Sequence, residues 1–268
     1  MTFHEVLTEA INDIMLHGFD TKRRIDYWVE RLRTAARASL IPEHRINMEM
    51  EKSLQAAYSR LVTKGGLVNA NVSKFTVDRL KPKLRAELDR RIMASSDLIK
   101  YRREESINET LRRFEGWSTS IPKGGTKVLD KIEEKKEIRK ALSKLPFEER
   151  RVIIDQTHKL IANINEITAV DSGAIAARWH SNWKQMGYNY REDHKKLDGD
   201  VYLIRDSWAV KKGFVKPDKG YTDEIISPSQ APFCRCRYVY LYNLRQVEEL
   251  LTQKGKAALQ SAKSKLGT

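Results

Sequence analysis

Apolar residues recur at helical spacing through most of this chain. That periodicity limits its fold more than any single motif does. Phe3, Val6, Leu7, Ala10, Ile11 and Ile14 form one stripe, and Gly18 follows as a stop. Asp20 or Thr21 is placed to cap a second helix whose stripe is Ile25, Trp28, Leu32 and Ala35, ended by Pro42. A third helix is expected from about Asn47 to Thr63, closed by Gly65–Gly66. A long segment then begins near Pro82, with Leu84, Leu88 and Ile92 on one face. It continues through Ile99, Ile107, Leu111 and Phe114, with an interruption expected at Ser95–Ser96–Asp97. Stripes of this kind are buried only by packing helix on helix, so the first half reads as a helical body.

The stretch Ser118 to Gly125, rich in Ser, Pro and Gly, reads as a hinge within a linker over 118–127. Helical patterning resumes from Val128 to about Ser143 and again from Pro146 to about Ile167. A further helix, capped at Asp171–Ser172, is expected to run to Gln185 with Ile175, Trp179 and Trp183 four apart. After Gly187 the texture changes: aromatics, Gly and Pro become denser, and Val201–Ile204 and Cys236–Tyr242 read as strands. A last helix is expected from Leu244 to Ala262. The fold class that follows is mainly α: an extended helical N-terminal region, a small α+β C-terminal domain and a terminal helix. Along the chain this gives a helical basic region at 1–117, the linker at 118–127, and helices at 128–186. The small domain follows at 187–243 and a basic tail at 244–268.

Charge supplies the next constraint. Fifty Lys and Arg against 36 Asp and Glu give a net charge of +14, which implies an anionic partner: nucleic acid, an acidic lipid surface or an acidic protein. The exposed faces of the long segment carry Arg85, Arg90, Arg91, Lys100, Arg102, Arg103, Arg112 and Arg113. Lys135–Lys136 and Arg139–Lys140 add a second cluster, and the tail carries Lys254, Lys256, Lys263 and Lys265. These are the candidates for phosphate contacts on DNA, and no motif for reading sequence accompanies them. The start of the chain lacks the basic and apolar run of a signal peptide. No stretch approaches the roughly 20 apolar residues of a membrane span, so folding in a cytoplasm is expected.

The chemistry-bearing residues collect near the C-terminus. Arg191–Glu192–Asp193–His194 is followed by Asp198–Gly199, a turn signal; later come Gly213–Phe214 and Pro232–Phe233–Cys234–Arg235–Cys236. The two cysteines are too few for a disulfide framework. At i and i+2 on a strand their Cα atoms stand roughly 6.5 Å apart, near the upper limit for a disulfide. Strand alternation sets Cys234, Cys236, Tyr238, Tyr240 and Tyr242 on one face, with Arg235, Arg237, Val239 and Leu241 on the other. Three readings compete. Cys234, Cys236, His194 and Asp198 or Asp193 are ligand types that zinc accepts, although zinc motifs usually space their cysteines C-x₂₋₄-C. His194 beside a carboxylate is a candidate general base, as in a metal-dependent nuclease or similar hydrolase. Alternatively Asp193, His194 and Asp198 lock a turn while the cysteines pack as small buried hydrophobes, so that no cofactor is needed. The residue pattern favours this third reading.

The ordered set Arg191, His194, Asp198, Gly199, a Gly–Phe loop, then Pro232, Cys234, Arg235 and Cys236 resembles the C-terminal domain of the phage Mu F-like minor head protein family. The resemblance covers roughly 170–242. It departs from the family pattern at Pro232–Phe233, where Asn is common before the Cys–Arg–Cys, and in the loop between Lys211 and Ser229. It implies a structural protein of head morphogenesis in a tailed bacteriophage, not an enzyme. Such a protein is associated with the portal, with packaged double-stranded DNA and with other capsid or scaffolding proteins. The implied location is inside the virion head near the portal vertex, with release during genome ejection.

Overall fold

The computed structural model describes residues 1–63, 72–125 and 130–265. Gly65–Gly66 and Val128 lie outside these described residues. The helices begin with α1 (Phe3–His17), α2 (Lys22–Ser39), α3 (Glu43–Tyr58) and α4 (Lys74–Ser118), and a short π-helical turn at Ser59–Thr63 extends α3. Then come α5 (Lys131–Ile138), α6 (Lys140–Asp171) and β1 (Ala176–His180). The C-terminal part adds α7 (Glu192–Lys196), β2 (Val201–Leu203), α8 (Trp208–Lys211), β3 (Arg237–Leu241) and α9 (Gln253–Lys265). Mainly helical, with a small sheet near the C-terminus and a terminal helix, the architecture is the one the periodicity implies. The chain forms two compact units, each assembled from two separate stretches: Met1–Met50 with Met93–Val152, and Glu51–Ile92 with Ile153–Thr268.

The first unit buries the stripes of α1 and α2 with Ile107, Leu111, Phe114 and Ile138. Thr2 caps α1 in a full capping box with Glu5, and the Thr21 hydroxyl caps α2 by accepting the Arg24 N–H. Two details differ from expectation. First, α4 runs unbroken through Ser95–Asp97, because two serines and an aspartate carry too little intrinsic cost to stop a helix whose stripe is packed. Second, the expected hinge is held in place. Ile121 is buried, the Gly124 N–H donates to the His17 carbonyl at 3.2 Å, and Gly125 sits so close to α1 that a Cβ there would stand 2.3 Å from the Met15 carbonyl oxygen. Its φ of +83° suits glycine for a second reason.

In the second unit the sheet has the order β2-β1-β3, antiparallel throughout. Ala177 stands opposite Tyr202 on one side and Tyr240 on the other, and Trp179 opposite Tyr238. β1 replaces the helix expected from Asp171 to Gln185. The spacing of four among Ile175, Trp179 and Trp183 belongs to a strand's period of two as well as to a helical turn, and it cannot separate them. Gly173, at φ +82°, follows the end of α6, and the next residues, Ala174 to Ala177, are all buried, as a central strand requires.

The terminal helix is likewise interrupted. Leu244–Leu250 forms a 3₁₀ turn opened by an Asn243–Gln246 capping box, Val247 leaves helical geometry, and Leu251 pairs as an isolated bridge with Val215. α9 then presses Gly255 onto the Phe214 carbonyl, which leaves no room for a Cβ. The Gly213–Phe214 loop thus seats the last helix.

Candidate metal centre

His194 projects from α7, while Cys234 and Cys236 lie three residues and one residue before β3 begins. All three are buried. The Cys234 Sγ is 3.3 Å and the Cys236 Sγ 3.6 Å from the same nitrogen, His194 Nδ1. Their potential ligand atoms all lie within 4.8 Å of one another. In a tetrahedral zinc site, metal–ligand bonds of 2.0–2.3 Å place ligand atoms roughly 3.3–3.8 Å apart. The group therefore has the donor types and the spacing that a metal such as zinc accepts.

The surrounding residues fix this geometry. Arg191 Nη2 donates to the Pro232 carbonyl at 2.7 Å, joining the start of α7 to the cysteine turn. The Ser229 hydroxyl donates to the Cys236 carbonyl at 3.2 Å. Trp179 meets the His194 ring edge-on with centroids 5.4 Å apart, setting its tilt from below. The Ser181 hydroxyl lies 3.7 Å from Cys236 Sγ. Cys234 is the more acidic thiol, held down to about 5 chiefly by the Cys236 S–H. Burial opposes this, and backbone N–H groups of Cys236 and Ser229 add to it. Cys236 is pushed up because its proton serves the Cys234 thiolate and because it is buried. A thiol held down as Cys234 is yields its proton readily to a bound cation.

Asp198 is not a fourth ligand. Its carboxylate accepts the Ser181 N–H at 2.8 Å and the Trp183 Nε1–H at 3.0 Å, and it sits 3.8 Å from His180 Nδ1. Asp193 spends an oxygen on the backbone N–H of His194. Neither carboxylate joins the sulfur–imidazole group, so the pairing of His194 with an acid that a general base would use is not assembled. Gly199, at φ +92°, supplies the turn after Asp198. The sequence sets His194, Cys234 and Cys236 side by side with a carboxylate, and the structure brings only these three together. The sequence does not mark Asp155 on α6, whose carboxylate also holds the cysteine turn; nothing local to Asp155 signals that role.

The arginines proposed for DNA prove mostly committed elsewhere. Arg85 pairs with Asp89, Arg90 with Glu87, Arg102 with Glu105, and Arg113 with Glu109, all at helical spacing. Arg91 is turned inward onto Glu87 and Gln156, and Arg103 is buried against Glu149 at 2.5 Å. These two are corrected from surface contacts to internal ones. Lys254 donates to the Lys212 carbonyl and Lys263 pairs with Glu248, whereas Arg112, Lys256 and Lys265 are exposed. Among the described residues, no helix is long and apolar enough to cross a membrane.

Compared with known proteins, the chain matches no family model, no curated protein and no solved structure.

Proposed function

We propose that the chain is a structural minor head protein of a tailed bacteriophage, and that its C-terminal unit is a docking scaffold stapled by a metal. One observation carries this reading: Arg191, His194 and Asp198 of the sequence motif spend their bonding capacity on neighbouring protein groups. Arg191 holds Pro232, His194 meets both cysteines, and Asp198 ties down Ser181 and Trp183. A site built to act on a substrate leaves its polar groups aimed at open space, whereas these are aimed inward. Zinc would be held by Cys234, Cys236 and His194, and its binding energy would add to the stability of a unit whose sheet has only three strands.

In this reading the partners are the portal protein, other capsid or scaffolding proteins, and packaged double-stranded DNA. The place of action is inside the head near the portal vertex, and release with the genome follows from that location. Contact with DNA is sequence-independent and rests on exposed cations such as Arg112, Lys256 and Lys265. Co-expression with the portal protein of the same phage is expected to yield a stable complex. Plasmid DNA incubated with the protein and divalent metal is expected to stay intact. Cleavage that disappears in His194→Ala would replace the scaffold reading with a hydrolytic one.

A further inference from the structure

The second unit contains a cavity of about 620 Å³ between α6, the Ser227–Gln230 turn and the start of β3. Its size is typical of small-molecule sites and far exceeds the needs of a bare inorganic anion. The charged groups on its wall divide into two kinds. Arg91 and Lys159 are committed to Glu87 and Asp155. Arg235 and Arg237 are exposed and have no carboxylate in ion-pair range among the described residues.

These two guanidinium groups are held ready. Arg235 lies over the Tyr188 ring, 5.2 Å from its centroid, and its backbone N–H donates to the Tyr188 hydroxyl at 3.1 Å. Asn182 serves both arginines: its Nδ2 donates to the Arg235 carbonyl at 2.9 Å, and its Oδ1 accepts from Arg237 Nη1 at 3.3 Å. Two residues apart at the entry to β3, the arginines have Cα atoms roughly 6.5 Å apart, close enough for two long side chains to reach one phosphate. The charge of Arg235 is felt nearby: His158, also on the wall, is lowered first by burial and next by Arg235. Across the cavity α6 presents Ile161 and Ala162 among the amides of Asn163 and Asn165, and then Glu166, whose carboxyl burial raises. Two apolar side chains set among amides and a carboxyl suit a flat, hydrogen-bonding heterocycle better than an alkyl tail.

We infer that this cavity binds a nucleoside monophosphate unit, with the phosphate between Arg235 and Arg237 and the base along α6 toward Glu166. The unit comes either as a free mononucleotide or as the phosphorylated end of a single strand. The inference does not rest on the head-protein reading; the cavity borders the metal centre through Cys236, but neither Arg237 nor α6 supplies a ligand to that centre.

Isothermal titration of the full-length protein tests it with AMP, adenosine, inorganic phosphate and a short 5′-phosphorylated oligonucleotide. AMP is expected to bind, inorganic phosphate to compete with it, and adenosine to bind at least tenfold more weakly. Arg237→Gln is expected to weaken AMP roughly ten- to a hundredfold while bound metal stays unchanged. Tighter binding of the oligonucleotide than of AMP, lost in the same variant, supports the site and assigns the strand as the source. No binding of AMP or oligonucleotide at millimolar concentration overturns the inference, as does AMP binding that Arg237→Gln leaves intact. Should Arg237→Gln fold poorly, Ala162→Glu on the facing helix adds a like charge and bulk, and it must abolish AMP binding for the inference to hold.

Discussion

Asp155 Oδ1 accepts the backbone N–H of Phe233 at 2.6 Å, tying α6 to the turn that carries both thiols across 78 residues of sequence. The carboxylate is buried, and its other oxygen takes the Lys159 ammonium at 2.8 Å. A buried charge so arranged is tolerated because each of its oxygens has a partner, and removing the carboxylate strands the lysine and the amide together. Asp155→Ala is expected to cost about 3–5 kcal/mol in denaturant unfolding, and to weaken metal binding about 10–100-fold through misplacement of Cys234. Asp155→Asn keeps an acceptor for Phe233 and is expected to lose less on both counts. Equal metal affinity in all three proteins would show that the turn holds itself.

Phe233 occupies the left-handed region at φ +60°, a conformation that Asn and Gly adopt readily and β-branched residues resist. A left-handed turn is where Asn is at home. Phe233→Asn is therefore expected to fold, with stability within about 1 kcal/mol of the parent because relieved strain offsets the lost ring. Phe233→Val is expected to lose about 1–3 kcal/mol. Thermal melts of the two variants side by side decide the order, and a Val variant as stable as the Asn variant would refute it.

How far the sequence discloses this molecule depends on whether a feature is local. The stripes and caps of α1 and α2 are visible because helix contacts repeat within four residues. β1 is hidden because Ile175, Trp179 and Trp183 fit two periods at once. What makes Ala176–His180 a strand is pairing with Val201–Leu203 and Arg237–Leu241, which no local window contains. The metal centre is half legible: His194, Cys234 and Cys236 announce themselves by residue type. Asp198 looks like their companion only until its bonds to Ser181 and Trp183 are seen. The arginines of α4 mislead in the opposite way, since composition counts charges without their partners.

Asp198 gives the second unit an acid-sensitive point. Burial opposes its ionisation, but the Ser181 N–H, the Trp183 indole and the nearby cations outweigh it and hold the carboxyl below its ordinary value of 3.8. A carboxyl depressed in the folded state stabilises fully above its unfolded pKa, and that contribution fades as pH falls through the lower folded value. Melting temperature is therefore expected to fall as pH drops below about 4, and to fall less steeply in Asp198→Asn. Parallel acid limbs for the two proteins would mean that Asp198 is not the group responsible.

A metal held by His194, Cys234 and Cys236 would be directly measurable. Protein purified without chelator is expected to carry about one equivalent of zinc, since a site of this kind gains much of its folding energy from the ion. Prolonged chelation is expected to lower the melting temperature, and added zinc to restore it. Cys234→Ser and Cys236→Ser should start at the chelated value and respond to neither treatment. Metal-free protein with an unchanged melt would return the cysteines to the role of packed core residues.

Arg103 and Glu149 take one arginine of α4 out of the surface of the first unit. Their side chains meet at 2.5 Å with both residues buried, so the guanidinium faces protein and not an external phosphate. Breaking a buried pair on one side leaves a charge without compensation, which typically costs about 3–5 kcal/mol. Arg103→Met and Glu149→Gln are each expected to lose stability on that scale. Arg103→Met combined with Glu149→Leu is expected to recover most of the loss, because an apolar pair of similar volume carries no desolvation penalty. DNA binding separates the roles further. Arg112→Gln, at an exposed position on the same helix, is expected to lower the slope of log affinity against log salt by about one phosphate contact. The double variant at 103 and 149 is expected to leave that slope unchanged. If the double variant lost as much salt-dependent binding as Arg112→Gln, Arg103 would have to reach DNA by leaving its buried position.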